Sequence, residues 1–134
     1  MNTVNANNIS DAVLCEIDTH GIARITLNRP DIHNAFDDVL IADLTAKIET
    51  LDVDPAVRVV ILTGAGKSFS AGADLNWMKR MAGYSHGENL EDSRALAKLM
   101  KVLNFTSKPT IALVNGAAFG GGVGLAACCD IVIA

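Results

Sequence analysis

Twice in this chain a short apolar run ends in glycine-rich sequence that opens onto a helical pattern. VRVVILTG (57–64) leads into AGKSFSAG (65–72) and a helix from about Ala73 to Met81. TIALVN (110–115) leads into GAAFGGGVG (116–124) and a short helix to about Cys129. Aliphatic runs without polar alternation suit strands covered on both faces. Strands that alternate with helices pair in parallel through right-handed crossovers. The expectation is therefore an α/β protein with a mostly parallel sheet. Such folds gather ligands at the carboxyl ends of the strands, where both glycine-rich loops leave.

The flanking sequence extends the pattern. AVLCEID (12–18) and IARITL (22–27) read as a β-hairpin turning at Gly21. NRPDIHNA (28–35) interrupts it, and Asn34 is read as the N-cap of a helix with Phe36, Val39, Leu40, Leu44, Ile48 and Leu51 at the 3.6-residue period. Asp54-Pro55 ends that helix. After GYSHGEN comes a helix over 90–105, with Leu96, Leu99, Met100 and Leu103 on one side. DIVIA (130–134) reads as a buried strand with no cap or turn after it, the expectation for a piece of a longer protein. Residues 1–11 are polar and read as a loose arm, 12–134 as one core. The element order is ββα, then β-α-α-β-α-β.

Half of the residues are apolar and only 4% aromatic, so the core must be Val, Ile, Leu and Ala. The net charge of −4 and the lack of a basic stripe argue against nucleic acid. The three cysteines, Cys15, Cys128 and Cys129, have no zinc-ligand spacing and are read as small buried hydrophobes, so no metal is expected. MNTVNANNIS is not a signal peptide, and no apolar run reaches the roughly 18 residues of a membrane helix. A cytoplasmic protein is expected.

The familiar catalytic motifs fail. GAGKS would need a glycine at position 61 to be a phosphate loop, and Ile61 stands there. GVGLAA (122–127) fits a dinucleotide fingerprint formally but lies well past its strand. Ser68 and Ser70 are not in a GxSxG turn. His20, His33 and His86 fall in expected turns or loops and read as solvated. Asp74 reads as a first-turn acid favoured by the helix dipole. What remains is backbone chemistry. If the two strands are neighbours, one N–H from each glycine-rich loop could converge on a single oxygen as an oxyanion hole. Glycines at 120–122 would let a ligand carbonyl approach, or would permit close helix–strand packing; both readings stand.

SFSAGADL (68–75) with NGAAFGGGVGLAACCDI (115–131) resembles the enoyl-CoA hydratase/isomerase, or crotonase, family. LNRPDIHNAF (27–36) and VRVVILTG match in order and spacing, so the likeness runs from residue 12 onward. The resemblance implies a spiral of ββα units with parallel sheets, of which this is the N-terminal core without a C-terminal helical region. It implies an acyl-CoA substrate with no separate cofactor, and homotrimers or hexamers. The implied oxyanion-hole amides are those of Ala73 and Gly121. Ala71, Gly72, Ala73, Asp74, Leu75 and Asn76, with Gly120 and Gly121, would line the substrate site. Arg29 would approach the CoA, with Lys67 as a weaker candidate. At Gly124 many family hydratases carry a glutamate, and a second would fall about twenty positions later, so no acid/base pair is visible here. The resemblance therefore implies an enoyl-CoA hydratase, with an isomerase, a thioester hydrolase or a non-catalytic acyl-CoA binder as alternatives. ADLNWMKRM (73–81) is most similar to hydratases of branched, carboxylated enoyl-CoAs such as 3-methylglutaconyl-CoA or its isoprenoid relatives, which belong to leucine and acyclic-terpene breakdown. Lys79 and Arg80 are then candidates for meeting a substrate carboxylate, or simply solvent-facing charges.

Overall fold

The computed structural model describes residues 11–134; the expected loose arm, residue 11 apart, lies outside the described residues. The hairpin forms from β1 (Val13–Ile17) and β2 (Ile22–Leu27), paired antiparallel. Its turn is held by the Asp18 carboxylate, which accepts from the amides of His20 and Ile22. Gly21 carries φ +85°, and a Cβ there would stand 2.7 Å from the Ala56 carbonyl oxygen, so glycine is required.

From β2 onward the main sheet is parallel, in the order β1-β2-β3-β5-β7, with β3 at Val59–Gly64, β5 at Thr110–Leu113 and β7 at Ile131–Ile133. A second, two-stranded parallel sheet joins β4 (Ser68–Ser70) to β6 (Ala117–Ala118). Both of these strands lie in stretches expected to be loops. β3 and β5 thus each hand the chain to a short strand in a second layer before a helix. β3, β4 and α2 (Leu75–Met81) make one ββα unit, and β5, β6 and α4 (Gly121–Ala127) make the next. This is the expected crotonase-type spiral.

α1 (Asp38–Asp52) turns Leu40, Ile41, Leu44, Ile48 and Leu51 into the core, whereas Val39 is left exposed. Its N-cap is Asp37, whose Oδ1 accepts from the Leu40 amide at 2.9 Å; the expectation of Asn34 was wrong. α3 (His86–Phe105) begins earlier than expected because Ser85 and Glu88 form a capping box, so His86 lies in a first turn rather than a loop. Trp77, buried on α2, donates its indole N–H to Asp92 on α3 at 3.2 Å.

Two burial expectations are corrected. Cys15 is exposed on β1, while Cys129 is buried and desolvation pushes its thiol up to about 11. β7 is exposed at all three residues, and among the described residues it pairs only with β5.

Candidate active site

The site grows from the turn between β2 and α1. His33 and Asn34 both adopt left-handed backbone, at φ 55° and 57°. Asn34 is fully buried, and its side chain explains its conformation. Its Oδ1 accepts from the Arg29 amide, and its Nδ2 donates to the carbonyls of Ala65 and Ser68. The Ser70 hydroxyl donates in turn to the Asn34 carbonyl. One asparagine therefore fastens this turn to the loop that leaves β3.

Phe36 comes next. Its N–H donates to the Gly72 carbonyl and its carbonyl accepts from the Asp74 N–H, both at 2.8 Å. This is a parallel bridge centred on Ala73. Because Gly72 C=O and Asp74 N–H face Phe36, the N–H and C=O of Ala73 itself face the other way. The Phe36 ring packs on Gly121, in contact with the position a Cβ would take there.

The second glycine-rich loop lies alongside. The Phe119 N–H donates to the Ser70 carbonyl at 2.9 Å. Gly72 has φ +87°, and a Cβ on it would fall 2.9 Å from the Phe119 oxygen and 3.3 Å from the Gly121 nitrogen. The loops 65–73 and 116–121 are thus adjacent, as expected. Neither the Ala73 N–H nor the Gly121 N–H has an acceptor among the described residues, and both residues are part-exposed.

The glycines 120–122 have separate reasons. Gly120 carries φ +53°. Gly121 has no left-handed backbone and is bare because the Phe36 ring occupies its Cβ position. A Cβ on Gly122 would lie 2.5 Å from the Ser70 carbonyl oxygen. Close packing alone accounts for the last two. On α4, a Cβ at Gly124 would meet the Met100 methyl at 3.0 Å.

A cleft of about 730 Å³ opens beside this assembly, and its wall includes Arg29, Ala71, Ala73, Asp74, Leu75 and Asn76 of the expected set. Gly72, Gly120 and Gly121 do not line it. Sequence reasoning left out Met78 and His33, which do. His33 Nδ1 lies 2.9 Å from the Ser68 hydroxyl, so this histidine is partnered rather than simply solvated. Arg29 is engaged inside the protein: it donates to Asp74 at 3.0 Å and to the Ala35 carbonyl at 2.8 Å, with Asp37 at 3.6 Å. Asp74 caps α2 by accepting from Asn76 and Trp77. Burial opposes ionisation of Asp74, but those amides and the Arg29 guanidinium outweigh it and hold the carboxyl below its ordinary range. Arg80 is paired with Asp38 at 3.1 Å. Lys79 lines the cleft and has no carboxylate partner among the described residues. Lys67 is exposed and stands off the cleft wall.

A spiral of ββα units around a mostly parallel sheet defines an α/β protein of the crotonase fold. The enoyl-CoA hydratase/isomerase family model matches residues 18–134, and the chain belongs to that family. It is similar to the mitochondrial enoyl-CoA hydratase of Pongo abelii, 42% identical over 84% of this chain and 37% of the relative. It is also similar to the hydroxycinnamoyl-CoA hydratase-lyase of Pseudomonas fluorescens, 41% identical over 84% of this chain and 42% of the relative. Among solved structures, an enoyl-CoA hydratase from Shewanella pealeana superposes with a TM-score of 0.87 at 44% identity, covering 90% of this chain and 45% of that one. The chain spans about half the length of the curated relatives it matches.

Proposed function

We propose that the protein adds water across the 2,3 double bond of an enoyl-CoA thioester. The amides of Ala73 and Gly121 hold the thioester oxygen as negative charge builds on it. The observation that carries this reading is the pair of N–H groups on adjoining loops that have no acceptor among the described residues, with Ala73 on the wall of an open cleft. Donors fixed before reaction and aimed at a developing oxyanion are each worth roughly 10²–10³ in kcat. The site needs no metal and no cofactor beyond the CoA carried by the substrate. The substrate is branched or carboxylated, with Lys79 receiving the carboxylate; Lys79 lines the cleft with no carboxylate partner among the described residues, whereas Arg80 is held by Asp38. The protein works in the cytoplasm, and the family resemblance implies a trimer or hexamer.

Gly124 favours a second reading. With no carboxylate at that position, the same oxyanion hole also suits isomerisation or thioester hydrolysis. A third reading is binding of the acyl-CoA thioester without turnover, which Gly124 also favours because no acid/base pair is visible there.

The test is the loss of conjugated-thioester absorbance on adding the full chain to crotonyl-CoA and to a carboxylated, branched enoyl-CoA. Hydration of either, faster with the carboxylated one, is expected. Binding without any loss of the double bond from either thioester would exclude the hydratase.

A further inference from the structure

We infer that Phe36 is the positioning residue that sets the spacing between the two oxyanion-hole amides, an inference resting on the hydratase reading above. One residue touches both sides of the site. Its backbone fixes residue 73 through the bonds to Gly72 and Asp74, which turn the Ala73 N–H away from Phe36. Its ring tip, Cζ, abuts Gly121 where a side chain would begin, with Cε1 and Cε2 both 3.3 Å from that point. The ring is 1% exposed and cannot swing out to solvent. The bridge at 73 and the backbone at 121 are therefore both braced by one rigid aromatic residue, alongside the direct approach of Gly72 to the Gly121 nitrogen. A flat ring with two torsions holds such a gap better than an aliphatic chain.

The alternative role for Gly121 is ligand access, and the two roles differ in a measurable way. If the missing Cβ serves the ring, then adding one should be tolerated once the ring is removed. If it serves the ligand, the ring is irrelevant. Gly121 has no left-handed backbone, so alanine there brings no conformational strain that would blur the comparison.

The experiment is a double-mutant cycle in the full chain, using Phe36→Leu, Gly121→Ala and the pair. It is read by kcat and KM on crotonyl-CoA and by the carbonyl frequency of a bound thioester labelled with ¹³C at C1. Phe36→Leu should lower kcat about tenfold with KM within about threefold, and should shrink the carbonyl shift; a merely structural core residue would lower thermal stability and leave both unmoved. Gly121→Ala should cost about 10²-fold in kcat, and the pair should be no worse than Gly121→Ala alone. Losses that multiply to about 10³-fold would overturn the proposal, since the two residues would then act independently. If Gly121→Ala does not fold with Phe36 present, Phe36→Leu decides: a carbonyl shift equal to that of the unaltered protein overturns the proposal, and a reduced shift at nearly constant KM supports it. No carbonyl shift in the unaltered protein would remove the oxyanion reading itself, and the positioning role with it. A normal shift with multiplicative losses would remove the positioning role alone.

Discussion

Arg29 reaches from the turn after β2 to the carboxylate that caps α2, closing on Asp74 at 3.0 Å. The same guanidinium lies 3.6 Å from Asp37, the N-cap of α1, so one cation ties together the starts of two helices. Arg29 is thereby held by carboxylates at the wall of the cleft.

Replacing Asp74 should therefore separate capping from charge pairing. Asp74→Ala loses both and should cost about 2 kcal/mol in urea unfolding, allowing for the quarter-exposed Arg29 side chain. Asp74→Asn keeps a capping oxygen and should cost about half as much. Equal losses for the two variants would mean that the ion pair, rather than the cap, carries the effect.

Acid should unfold the protein partly through carboxylates with lowered pKa. For Asp74, burial opposes the lowering, but its amide donors and Arg29 prevail. Asp52 is lowered by the Ser107 hydroxyl and amide and by Thr106. A carboxyl whose folded pKa lies below its unfolded value binds its proton more readily unfolded. Its contribution is thus complete above about pH 4 and is lost as pH falls through the folded value. Stability measured from pH 6 down to pH 2 should fall, and Asp74→Asn with Asp52→Asn should flatten that slope. A slope unchanged in the double variant would assign the acid sensitivity to other groups.

Lys79 and Arg80 are neighbours in sequence with opposite situations. Arg80 donates to Asp38, while Lys79 lines the cleft with no carboxylate partner among the described residues. Lys79→Ala should raise KM for a carboxylated enoyl-CoA about tenfold, the size of one charge-assisted hydrogen bond, and leave crotonyl-CoA unchanged. Arg80→Ala should alter neither. Parallel kinetics on the two thioesters would show it, and equal effects of Lys79→Ala on both would remove the carboxylate role.

The parallel α/β pattern was readable because the buried strands β3 and β5 each feed a glycine-rich loop. The loop adjacency followed from that order. The short strands β4 and β6 were hidden because they are only three and two residues long and sit among glycines, and β6 is built of alanine, whose β propensity is poor; their pairing is decided by tertiary contacts. Asn34 misled as a helix cap because its side chain is spent on backbone carbonyls 31 and 34 residues away, which no local pattern encodes. Asp37 and the Ser85/Glu88 box were legible by spacing alone. Phe36 looked like one more apolar position of α1. Nothing in its spacing reveals that its ring meets Gly121, since that contact spans 85 positions of chain (121 − 36).

Gly124 offers a test of what a glycine inside α4 is for. It sits mid-helix, where glycine costs roughly 1 kcal/mol relative to alanine. A Cβ there would meet the Met100 methyl at 3.0 Å and its sulfur at 3.5 Å. The obstacle is the tip of a flexible side chain, and methionine repacks readily. Gly124→Ala should therefore stabilise the protein by about 0.5–1 kcal/mol, seen as a higher urea midpoint at an unchanged m-value. It should leave the kinetics on crotonyl-CoA as they were, because the Gly121 backbone is fixed by Phe36 rather than by Met100. A destabilised Gly124→Ala would mean that Met100 is locked in place by its neighbours on α3 and that this glycine, like Gly122, exists for close packing.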